Sequence, residues 1–97
     1  MILINSSSKD ALKIFQPFLP IYVPVGIGFL LAVAERENIH ARHIDQQIEK
    51  NFFGLIAEHV KKMKKPYIFG FSVMTAAYKS SIIVSKKLKK LYPDSII

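Results

Sequence analysis

Ser72-Val73-Met74-Thr75 closes an apolar run made of Tyr67, Ile68, Phe69 and Phe71, and a helix-like pattern follows. Hydroxyls in that position can hydrogen-bond the polar groups of a ligand, because open α/β sheets bind ligands outside the carboxyl ends of their strands. Helix initiation explains Ser72 and Thr75 about as well, since Ser or Thr before a helix is a common N-cap. Two further polar stretches close strand candidates: Asn5-Ser6-Ser7-Ser8 after the apolar run Met1 to Ile4, and Asp45 to Gln47 at the end of the weaker candidate His40 to Asp45. Asp45 either caps the following segment or accepts a ligand hydrogen bond.

Other chemistry is not indicated. His40 and His43 fall on opposite faces of a strand and His59 on the next helix, so no metal-ligand set is expected. Ser-His-Asp and paired-carboxylate arrangements are lacking, so no catalytic residue is assigned. There is no Walker sequence, and Gly26-Ile27-Gly28 lies inside a helix pattern without the third glycine of a dinucleotide turn. A phosphoacceptor domain would carry an aspartate where this chain has Ser72.

The elements that hold these residues follow from hydrophobic pattern. Met1 to Ile4 reads as a buried strand, and a long loop with Phe15, Pro17, Phe18, Pro20 and Tyr22 follows. Pro24 opens a helix running through Ile27, Phe29, Leu30, Leu31 and Val33 to Glu37, with Asn38 as its cap. That helix is apolar nearly all round and needs a partner on each side. His40 to Asp45 is a second strand, and Ile48 to Lys64 a helix with the stripe Phe52, Leu55, Ile56, His59, Val60, Met63. The strand ending at Thr75 precedes a helix with the stripe Ala77, Ser81, Val84, Leu88, Leu91, and Ser95-Ile96-Ile97 starts a fourth strand. This β-α-β-α-β-α-β order predicts a doubly wound parallel sheet, flavodoxin-like or Rossmann-like, in three α/β/α layers.

With 97 residues the chain is a single small domain, and 51% hydrophobic residues exclude a disordered one. No cysteine means no disulfide, thiolate nucleophile or iron–sulfur ligand, consistent with a cytoplasmic protein. The net charge of +7 invites a nucleic-acid partner. However, Lys61, Lys62, Lys64, Lys65 and Lys86, Lys87, Lys89, Lys90 close two helices, where cations complement the dipole. Both clusters are expected at the edge opposite the ligand site, and no nucleic acid is expected. Residues 14–34 are uncharged, but Pro17, Pro20 and Pro24 interrupt them, so no membrane span is expected either.

The ordered set MILINSSS, P-V-G-I-G-F-L-L-A at 24–32, Ile44-Asp45, F-G-F-S-V-M-T at 69–75 and K-K-L-Y-P-D-S-I-I at 89–97 resembles a known family. It is similar, over essentially the whole chain, to the N-terminal cobalamin-binding domain of cobalamin-dependent radical S-adenosylmethionine enzymes. The resemblance implies cobalamin as cofactor, held by Asn5, Ser6, Ser7, Asp45, Ser72, Val73, Met74 and Thr75, with the Ser-x-Met-Thr stretch on the benzimidazole tail. It further implies a partner barrel domain that holds S-adenosylmethionine and an iron–sulfur cluster, and methyltransferase activity. Gln47 stands where related domains of the methionine synthase type place a histidine ligand, so histidine ligation of cobalt from this loop is not expected. The family's later turn, helix and fifth strand have no counterpart before Ile97. The chain is therefore expected to be a fragment, non-catalytic alone, with exposed apolar surface that favours self-association. The alternative is a cofactor-free flavodoxin-like interaction or regulatory domain that docks an acidic partner through its lysines.

Overall fold

The computed structural model describes residues 1–7 and 23–97. The expected aromatic loop from Phe15 to Tyr22 lies outside the described residues. Strands β1 (Ile2–Asn5), β2 (Arg42–Asp45) and β3 (Phe69–Ser72) alternate with helices α1 (Val25–Arg36), α2 (Phe52–Lys61) and α3 (Tyr78–Leu91), and a 3-10 turn, Thr75–Ala77, leads into α3. All strands are parallel in the order β2-β1-β3, a Rossmann-like and flavodoxin-like α/β topology. Ile96 adds a parallel bridge to Ile68 on the far side of β3, where the fourth strand was expected.

Register explains which side chains meet. Ile4 pairs with Ile44, and Ile2 with Phe69, so these fall on one face of the pleat. That face packs against Phe52, Ile56 and Val60 of α2 and Val84 and Leu88 of α3 to form the core. The opposite face carries Leu3 and Gly70, opposite each other in register, and α1 covers it with Ile27 and Ala34 buried. Helices thus lie on both faces of the sheet, as doubly wound topology requires.

Several boundaries differ from the sequence expectation. β1 and β2 begin at Ile2 and Arg42, and β3 ends at Ser72 rather than Thr75. Helix α2 starts at Phe52 rather than Ile48, because the Asp45 carbonyl accepts the Ile48 and Glu49 N–H groups and holds them in a turn. Leu91 is exposed, not on the inner stripe; Tyr92 takes that place, with its ring 5.8 Å from Phe69 and 5.7 Å from Tyr67. Asn38 does close α1. Its φ of 57° lets the Ile39 N–H reach Ala34 and its own N–H reach Glu35, a Schellman pattern that turns the chain into β2. Among the described residues no helix is long and apolar enough to cross a membrane.

Candidate functional site

The parallel sheet brings three strand ends to one edge: Asn5 is level with Asp45 on one side and Ser72 on the other. Ser6 N–H donates to the Ser72 carbonyl at 3.2 Å, and Gln46 N–H to the Asn5 carbonyl at 3.0 Å, so the chains stay paired as they leave the sheet. All predicted site residues before Val73 therefore sit side by side. Val73, Met74 and Thr75 stand one step beyond.

Asp45 is committed locally. Its carboxylate accepts the Gln47 N–H at 2.8 Å and the Asn5 side-chain amide at 3.2 Å, and only 7% of the residue is exposed. The first bond is an Asx turn, in which a short carboxylate mimics a backbone turn. The Gln47 side-chain amide also reaches Asp45, at 3.5 Å. Asp45 and Asn5 thus shape the edge more than they offer atoms to a ligand.

Ser72 and Thr75 are different. Both are exposed, and neither the 3-10 turn, capped by Met74, nor α3, capped by Ala77, has a side-chain cap bond. Helix capping therefore does not account for these hydroxyls, and no hydrogen bond engages either among the described residues. Met74, 70% exposed, and Val73 line an open hollow of about 360 Å³ with Thr75 and Tyr78. Ser6 is 8% exposed, and its hydroxyl has no partner among the described residues.

A second groove, of about 320 Å³, opens between the sheet residues Leu3, Gly70 and Phe71 and the α1 residues Gly26, Ile27 and Leu30; Ser72 shares its lining. Two glycines keep it open. A Cβ on Gly70 would come within 2.9 Å of the Leu3 Cδ2, whereas the space above Gly26 is empty to 4 Å. Its volume lies at the lower end of ligand pockets, about 300–1,000 Å³. A larger hollow of about 450 Å³ lies at the opposite edge, among Leu31, Glu35, Asn38 and His40 to Arg42. No strand carboxyl ends converge there, so it lacks the feature that marks ligand sites in such sheets.

Gln46 was legible only as part of the polar stretch Asp45 to Gln47, and Ser80 was missed. The Gln46 side chain accepts the Ser7 N–H at 3.0 Å and donates to the Ser80 hydroxyl at 3.2 Å, bridging β1, β2 and α3. The available signal was two adjacent serines, Ser80 and Ser81, on the inner side of an otherwise apolar helical stripe. The histidines do not converge, and among the described residues no group of three His, Cys, Asp or Glu could hold a metal ion.

The lysine clusters extend beyond the last helical turns in which they were expected. Lys89 and Lys90 occupy the last turn of α3, but Lys86 and Lys87 lie earlier, and Lys62, Lys64 and Lys65 follow the end of α2. No family model, curated protein or solved structure matches this chain. Fold and edge define it as a small α/β domain built on a three-stranded parallel sheet.

Proposed function

We propose that the carboxyl edge of the sheet is a cofactor site and that the cofactor is cobalamin, as the ordered sequence resemblance implies. The observation that carries this reading is the pair of uncommitted hydroxyls, Ser72 and Thr75, beside a glycine-lined apolar groove. The residues present fit the group. Ser72 and Thr75 offer hydrogen bonds to a nucleotide tail, Val73 and Met74 offer exposed apolar surface to a flat ring system, and Gly70 and Gly26 leave room beside them. Asn5, Ser6, Ser7 and Asp45 hold the neighbouring strand ends in place. Gln47 is held against Asp45 and offers no imidazole, so cobalt would take no histidine from this loop.

Cobalamin, when bound, supplies alkyl-transfer chemistry at cobalt. This chain's own part is to bind and orient the cofactor. Radical generation would belong to a partner barrel domain with S-adenosylmethionine and an iron–sulfur cluster, because the chain has no cysteine to hold one. Methyl transfer is the reaction this reading assigns to the assembled enzyme.

Titration with hydroxocobalamin, followed by corrin absorption, tests the proposal. Saturable binding weakened by Ser72→Ala and Thr75→Ala supports it, and no binding by the folded chain overturns it. A cofactor-free interaction domain is the second reading, favoured by the outer face of α1, where Val25, Phe29 and Val33 are exposed.

A further inference from the structure

The outer face of α3 has a composition that folding alone does not explain. The helix carries five lysines and no acidic residue. Its inner face is committed to the interior through Ser80, Ser81, Val84 and Leu88. On the other side, helical spacing places Ile82 and Ile83 between Lys79, Lys86 and Lys90. Ile83 is 59% exposed and Ile82 is 37% exposed.

Two of the five lysines have local roles: Lys87 Nζ lies 3.9 Å from the centre of the Phe53 ring, and Lys89 donates to the Ser95 carbonyl. Lys90 suits the last turn. Lys79 does not suit the first, where the helix dipole disfavours a cation. Lys79, Lys86 and Lys90 have no partner among the described residues, whose one ion pair is Arg36 with Glu37. A cationic frame with no ion-pair partner among the described residues surrounds two exposed aliphatic side chains.

We infer that this face docks an acidic protein segment with an apolar strip, its carboxylates on Lys79, Lys86 and Lys90 and its apolar side chains on Ile82 and Ile83. Charge complementarity and the central isoleucines select this partner. An anionic membrane is disfavoured because the helix's main apolar face, Val84 and Leu88, is buried in the core and cannot enter lipid. A nucleic acid is disfavoured because α3 has no arginine and the isoleucines would be desolvated against phosphates without return. The inference does not rest on the cofactor reading: Lys79 follows Tyr78 of the edge hollow, but Ile82, Ile83, Lys86 and Lys90 line neither that hollow nor the groove.

The test uses a labelled synthetic helical peptide with a leucine strip flanked by glutamates. A second peptide of equal charge has serine at each leucine. Phosphatidylserine vesicles and a DNA duplex complete the set. The leucine peptide is expected to bind saturably and to shift the amide resonances of residues 79–90. Ile83→Ser should weaken it about three- to ten-fold with charge unchanged, and Lys86→Glu should weaken it comparably and flatten its salt dependence. Far-UV circular dichroism confirms that each variant keeps its helix content. Equal binding of the serine peptide, no effect of Ile83→Ser, tighter binding of vesicles or duplex, or no peptide binding at all would each overturn the inference.

Discussion

Gln46 and Ser80, 34 positions apart, share a hydrogen bond of 3.2 Å from the side-chain amide of one to the hydroxyl of the other. The same amide accepts the Ser7 N–H at 3.0 Å, so one glutamine holds the end of β1 against the start of α3. Removing it leaves the buried Ser80 hydroxyl without this partner, which costs about 1–3 kcal/mol.

Gln46→Ala is therefore expected to lower unfolding free energy by about 1–3 kcal/mol in urea titration. Ser80→Ala should cost less, about 1 kcal/mol, because the part-buried Gln46 amide can turn toward water. Equal stability of Gln46→Ala and the parent would show that the bridge contributes nothing to the fold.

Ser72→Ala and Thr75→Ala should change stability by no more than about 0.5 kcal/mol, since neither hydroxyl caps a helix and both are exposed. Each is expected to weaken hydroxocobalamin binding about two- to ten-fold, the range of one lost neutral hydrogen bond. A clear drop in melting temperature without loss of affinity would return both residues to a structural role.

Gly70→Val separates the groove from the hydroxyls. A Cβ at this position already presses on the Leu3 side chain at 2.9 Å, and the added methyl groups would occupy the space between sheet and α1. Overpacking of this kind costs about 1–3 kcal/mol. A variant that stays folded by circular dichroism should lose cobalamin binding more severely than Ser72→Ala. Unchanged affinity would remove the groove from the site.

The fold was legible because its strands announce themselves in different ways. Ile2 and Ile4 belong to a run buried on both faces, and Phe69 anchors the same core from β3. β2 is an edge strand with Ile44 as its one aliphatic core residue, so its start at Arg42 left little periodic signal. Ile48 stands four residues before Phe52 and so extends the helical stripe on paper, yet the turn built on Asp45 leaves it exposed. The candidate site was half legible. Strand-end positions follow from the topology of any parallel sheet, which brings Asn5, Asp45 and Ser72 to one edge. The bond from Gln46 to Ser80 joins distant residues through side chains and leaves no periodicity to read.

Helix α1 offers the most direct test of surface behaviour. Ile27 and Ala34 face the sheet, while Val25, Phe29 and Val33 recur at helical spacing on the outer side, with Phe29 71% exposed. Large exposed apolar patches are the usual sites of association. The chain is expected to self-associate in a concentration-dependent way in size-exclusion chromatography with light scattering. Phe29→Ser should shift it toward monomer with a stability change within about 0.5 kcal/mol, because an exposed ring loses few contacts on removal. Ile27→Ala, on the inner face of the same helix, should instead cost about 2–5 kcal/mol. The contrast matters, since a change in association caused by unfolding would accompany both variants. A parent chain that stays monomeric at high concentration would show that this face is not an association surface.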